Sequence, residues 1–132
     1  MENKLSSQII EAAIEVQHHL GGPGLLESIY EAALCHELSL RGLHTQRQLP
    51  IPVTYKNTSV REPLFLDILV ENKLIIEVKA TAKDFPFYQA QLLSHLRLAN
   101  IPFGMLINFG KPNIRDSVCY IVNPTSAPGL SR

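Results

Sequence analysis

The chain has 132 residues, 45% of them hydrophobic and 18% charged, a composition that builds one packed domain and excludes a generally disordered chain. Twelve Lys and Arg against twelve Asp and Glu leave no net charge, which excludes a polybasic protein held to nucleic acid by bulk attraction alone. Cys35 and Cys119 are too few for a four-thiolate zinc or iron–sulfur site and read as small buried residues in a reducing cytosol.

In chain order, Leu5, Ile9, Ala12, Ala13, Val16 and Leu20 recur at helical spacing and predict a helix over 4–20. Gly21-Gly22-Pro23-Gly24 stops it. Leu26, Tyr30, Ala33, Leu34 and Leu38 form the stripe of a second helix over 25–41, with Gly42 as its left-handed end. Pro50 and Pro52 demote 47–55 to an edge strand or extended arm. Leu64 to Val70 and Leu74 to Ala80 are apolar strands joined by Glu71-Asn72-Lys73 in a hairpin. A helix is expected from Asp84 to Ala99, with Pro86 in its first turn, and strands at Phe103–Asn108 and Val118–Val122. Residues 1–123 are expected to form the domain and 124–132 a flexible tail. The order of elements implies an α/β or α+β sandwich around one mixed sheet, and α/β with helices flanking a mixed central sheet is the fold class expected. The chain carries no apolar run long enough to span a bilayer and no secretory signal, so a cytoplasmic, non-membrane protein is expected.

The chemistry concentrates in the hairpin. Alternation puts Leu64, Leu66, Ile68 and Val70 on one apolar face with Leu74, Ile76, Val78 and Ala80. The other face carries Phe65, Asp67 and Leu69, then Ile75, Glu77 and Lys79. A turn centred on Asn72 sets Asp67 opposite Glu77, where directly opposed Cβ atoms lie about 4.5–5.5 Å apart and like charges repel. Two carboxylates forced together on a half-buried face need a shared proton or a cation between them. Lys79 supplies one positive charge, and a divalent ion with oxygen ligands, Mg²⁺ or Mn²⁺, would supply more.

Asp67, nine intervening residues, then Glu77-Val78-Lys79 resembles the D…(D/E)xK signature of the PD-(D/E)XK nuclease superfamily. Gly24-Leu25-Leu26-Glu27-Ser28-Ile29-Tyr30 is similar to the motif that names the GxxExxY family within it. The resemblance continues through Ala90-Gln91-Leu92-Leu93 and Gly104–Phe109. It implies a single-domain nuclease-like core in αβββαβ order and a metal-dependent DNA nuclease of repair, recombination or defence. It further implies that Asp67, Glu77 and the Val78 backbone carbonyl hold the metal, and that Glu27 is the helical acid oriented toward the metal or its water. Lys79 would position water and steady the transition state, and Gln91 would hold Lys79, water or a phosphate.

This sequence departs from the family's pattern at Phe65, where relatives often carry a basic residue, and at Gln17, where a histidine is usual. Its Gly-rich loop is one glycine longer. Outside Glu27, Asp67, Glu77 and Lys79, eleven basic residues face nine acidic ones, which implies weak, salt-sensitive binding to duplex DNA. The expected partner is nucleic acid, DNA favoured over RNA, with a homodimer or a protein partner to supply the missing grip. A catalytically weak or silent nuclease-fold module that binds nucleic acid or protein is the alternative. A retaining-glycosidase carboxylate pair is disfavoured by the lysine inside the pair. Of the five histidines, His95 on the Gln91 side of its helix is the candidate for substrate contact; adjacent His18 and His19 point to different sides of a helix, which disfavours a joint metal site, and His36 and His44 read as surface residues.

Overall fold

The computed structural model describes residues 3–83 and 86–124, so the expected helix start at Asp84 and the tail from 125 onward lie outside the described residues. Two helices, α1 (Lys4–His19) and α2 (Glu27–Leu40), precede three strands, β1 (Thr45–Tyr55), β2 (Thr58–Val70) and β3 (Leu74–Lys79). Helix α3 (Pro86–Ala99), β4 (Phe103–Asn108), a short 3₁₀ turn at Ile114–Ser117 and β5 (Val118–Val122) complete the order. The five strands lie side by side as β1-β2-β3-β4-β5, antiparallel except for the parallel β3/β4 pair that α3 connects. The chain therefore has the expected α/β architecture, with helices on both faces of one mixed sheet.

Two apolar cores explain the layering. Ile9, Ala12, Ala13, Val16, Tyr30, Leu34 and Leu38 cover Ile68, Val70, Leu74, Ile76 and Val78 on one face. Leu92 and Leu96 of α3 cover Leu69, Ile75 and Leu106 on the other. The strand is longer than the apolar run suggested: β2 begins at Thr58, because Lys56 and Asn57 both adopt left-handed φ (49° and 66°) and close a hairpin with β1. Its outer residues are exposed and polar, so alternation carried no signal there. Helix α1 is capped reciprocally by the Asn3 side chain and the Ser6 hydroxyl, each accepting the other's backbone N–H at 2.8 Å. Both cysteines are half-buried and unbridged.

The ends of β3 and β4 are fastened together, and this positions the residues at the β3 terminus. Buried Gln17 donates from Nε2 to the carbonyls of Phe109 (3.2 Å) and Lys111 (2.7 Å). Tyr30, fully buried, stacks on Phe109 at 4.7 Å between centroids and donates its hydroxyl proton to the Gly22 carbonyl at 2.8 Å. The same hydroxyl accepts from the Leu25 N–H at 3.1 Å, so Tyr30 holds the glycine loop as well as the core. Asn108 accepts from the N–H groups of Thr81 (3.0 Å) and Gly110 (2.8 Å) and donates to the Thr81 carbonyl (2.9 Å). Phe109 N–H donates to the Lys79 carbonyl at 2.7 Å.

Gly110 is tight for a steric reason: a Cβ there would stand 2.2 Å from the Thr81 nitrogen. At Gly104 a Cβ would meet only side-chain carbons of Leu92 and Leu96, at 3.1 Å. Gly110→Ala is therefore expected to cost at least about 1–3 kcal/mol, the usual range for overpacking, and Gly104→Ala less. Urea unfolding midpoints of the two variants check the order.

Candidate active site

The site forms where the β2/β3 ladder stops. The pairs Val70↔Leu74, Leu69↔Ile75 and Ile68↔Ile76 follow the register expected from a turn at Asn72. Beyond them the strands part, and the Asp67 carboxylate takes the place of a ladder carbonyl, accepting the Val78 N–H at Oδ2 (2.7 Å). The β1 side is irregular at the same level. Pairing passes from Arg47↔Ile68 to Leu49↔Leu66, and Gln48 between them adopts a left-handed φ of 55°, a conformation that costs a non-glycine residue about 1–2 kcal/mol. The register is the same on both sides of this gap, but the alternation of faces breaks at Asp67, which corrects one expectation: Leu66 leaves the face of Ile68 and Val70 and packs with Leu92 and Leu96 on the α3 side.

Asp67 stands in a row of carboxylates. Burial, then the charge of Glu77, then the neighbouring Glu31 push its carboxyl up to about 7, although the Val78 N–H bond pulls the other way. Glu31, on α2, is buried, and its Oε2 accepts from Arg47 Nε and Gln48 Nε2, both at 2.7 Å. Glu77 is buried at 8% exposure on the far side of Asp67. Its Oε1 lies 3.5 Å from His95 Nδ1 on α3, and both atoms are shut off from solvent with no hydrogen-bond partner. The row thus runs from α2 to α3 past the point where β2 and β3 separate.

Lys79, half-buried at the end of β3, sets its Nζ 4.0 Å from the centroid of the Tyr88 ring on α3, a cation–π contact that holds the ammonium on that helix's inner edge. Gln91, half-buried, lies on the same helix between Tyr88 and His95. A pocket of about 160 Å³ opens beside Lys79, lined also by Thr81, Tyr88, Asn108 and Ser117.

Of the residues singled out in the sequence, Asp67, Glu77, Val78, Lys79 and the Gln91 helix edge come together here. Glu27 does not join the row: it is exposed in the first turn of α2, and the α2 carboxylate beside Asp67 is Glu31, one turn further on. The reason is reach, since the first turn of α2 precedes the residues that pack over the sheet. Glu31 left a signal in the sequence, an acid at three- and seven-residue spacing from the buried Leu34 and Leu38. His95 meets Glu77, whereas His18, His19, His36 and His44 are exposed.

Asp67 and Glu77 suit a hard divalent cation, because carboxylates crowded together in a buried position lack positive charge where it would stabilise them most. Among the described residues no three His, Cys, Asp or Glu side chains close a cage around one position. One or two carboxylates are the usual protein share of a Mg²⁺ site.

The raised Asp67 carboxyl fixes the sign of a pH effect. Between the unfolded value of 3.8 and about 7 the folded chain binds the extra proton, so this group removes stability as pH rises through that window. In EDTA, Asp67→Asn is expected to flatten the decline, matching the parent near pH 4 and exceeding it above pH 7. Chemical denaturation across that range is the check, and parallel curves would contradict the assignment.

The chain covers 90% of itself and 76% of its counterpart in a superposition on the crystal structure of SSO0001, at 11% identity and a TM-score of 0.49. No curated protein matches the sequence. Among the described residues no helix is long and apolar enough to cross a membrane. The model of the PD-(D/E)XK nuclease superfamily matches residues 3–120, and the chain belongs to that superfamily.

Proposed function

We propose that this protein is a Mg²⁺- or Mn²⁺-dependent phosphodiesterase acting on DNA, a nuclease of the GxxExxY kind working in the cytoplasm in repair, recombination or defence. The observation that carries this reading is the buried carboxylate row, in which Asp67 has its proton affinity pushed up to about 7 beside Glu77. A site that holds a proton so tightly without a cation is one that a cation relieves.

In this reading Asp67, Glu77 and the Val78 carbonyl hold the cation, which supplies charge opposite the phosphate and acidifies water. Lys79 offsets the negative charge that accumulates on the phosphate as the P–O bond breaks. Its ring contact with Tyr88 and the ties of Asn108 to Thr81 hold it in place. Its place over the Tyr88 ring suits electrostatic stabilisation of the phosphate. Gln91 is within the same helix edge and is assigned to a phosphate or water. Glu31 replaces Glu27 as the α2 acid nearest the centre, its charge held by Arg47 and Gln48.

The silent-module reading draws support from Phe65, which is 56% exposed where a basic residue would grip phosphate, and from the neutral charge. The discriminating experiment is cleavage of linear, single-stranded, flapped and junction DNA and of RNA, each with Mg²⁺, Mn²⁺ or EDTA. Metal-dependent cleavage is expected on DNA, abolished by Asp67→Ala. Lys79→Ala is expected to retain metal binding while losing about 10²–10³-fold in rate, the scale for deleting one transition-state donor. Divalent-ion binding without cleavage of any substrate would favour the silent module.

A further inference from the structure

The contact between Glu77 and His95 has no part in the assignments above. Glu77 Oε1 and His95 Nδ1 face each other at 3.5 Å, and neither atom has a hydrogen-bond partner or access to solvent. An isolated buried carboxylate oxygen opposes folding unless something satisfies it. The separation exceeds a hydrogen bond by only a few tenths of an ångström. His95 occupies the inner edge of α3, one turn beyond Gln91 and beside Leu92 and Leu96, which anchor the helix to the sheet. The imidazole is therefore fixed by packing, at 14% side-chain exposure, and aimed at one oxygen of one carboxylate.

We propose that His95 is the positioning residue for Glu77: Nδ1–H donates to Oε1 and thereby commits the carboxylate's other oxygen to the Asp67 side, where a divalent cation is held. A carboxylate free to rotate presents either oxygen and loses rotamer entropy on binding the ion; one held by an imidazole has lost it already. The inference rests on the metal-site reading of Asp67 and Glu77 and adds a residue that touches neither ion nor phosphate. It also gives α3 a second duty, since that helix carries Tyr88 against Lys79 and His95 against Glu77. One helix thus orients both ends of the Glu77-Val78-Lys79 triplet.

The test is Mn²⁺ affinity without nucleic acid, by calorimetry, for the parent, Asp67→Ala, His95→Leu and His95→Asn, with unfolding in EDTA as the control. Outer partners of metal ligands typically contribute 10–100-fold in affinity. His95→Leu is expected to bind Mn²⁺ weaker by about that factor and to unfold earlier in EDTA, because Glu77 Oε1 then has no donor. His95→Asn, whose amide nitrogen stands near the position of Nδ1, is expected to recover most of the affinity. Equal affinity in His95→Leu and the parent overturns the inference while leaving the metal site intact. Nitrogen hyperfine coupling from His95 in the Mn²⁺ spectrum also overturns it, by making the residue a ligand. If the parent shows no Asp67-dependent binding, the metal-site reading fails and the inference with it. A measurement without substitution decides if His95→Leu does not fold: the ¹⁵N spectrum of the parent is expected to show the His95 proton on Nδ1, and a proton confined to Nε2 refutes the proposal.

Discussion

The hydrogen bond from the Val78 N–H to Asp67 is the constraint on which the site depends. Two strands that stay paired would turn Asp67 and Glu77 to one surface as a solvated pair of acids. Here the ladder ends at Ile68↔Ile76, and a side-chain oxygen takes over the backbone's role one residue further. The strands can then part without leaving the Val78 donor unsatisfied, which in a buried position would be costly. The opening admits Glu31 from one layer and leaves Glu77 against His95 in the other.

That opening is expensive in electrostatic terms, and the surroundings show how the cost is spread. Glu31 is steadied by Arg47 and Gln48, the latter in a left-handed conformation that brings its amide onto the same oxygen. Burial and the charge of Glu77 push the Asp67 carboxyl up to about 7. One oxygen of Glu77 faces only the His95 imidazole, at 3.5 Å. Local strain and unmet charge of this kind gather where a fold is organised for binding or chemistry rather than for stability alone. The frame around it is correspondingly stiff: Gln17, Tyr30 and Asn108 pin the β4 exit to α1, the glycine loop and the residues after Lys79. The motif tyrosine serves that frame, since its ring lies in the core and its hydroxyl closes the Gly22–Leu25 loop.

Much of the fold was legible because its signals are local. The periodicity of α1 and α2, the prolines of the β1 edge strand and the turn at Asn72 each depend on residues close together in sequence. The outer half of β2 was not legible, because its residues are exposed and only pairing with β1 makes them a strand. The displacement of Leu66 to the α3 side was hidden for a different reason. The alternation of faces breaks at Asp67, which stands opposite Gln48 in a gap of the β1/β2 pairing, and the left-handed backbone of Gln48 is not announced by its sequence.

The amino-acid sequence by itself determined that Asp67 lies close to Glu77, since a tight hairpin converts short sequence separation into proximity. It also marked the helix edge of Tyr88, Gln91 and His95, because helical spacing alone puts those side chains on one side. Only the tertiary structure decided which carboxylate of α2 reaches Asp67, and it is Glu31 rather than Glu27. Only docking of α3 decided that Tyr88 meets Lys79 and His95 meets Glu77. Helix placement over a sheet is set by how Leu34, Leu38, Leu92 and Leu96 pack against strands distant in the chain, and a difference of one helical turn, about 5.4 Å, separates a buried acid from an exposed one.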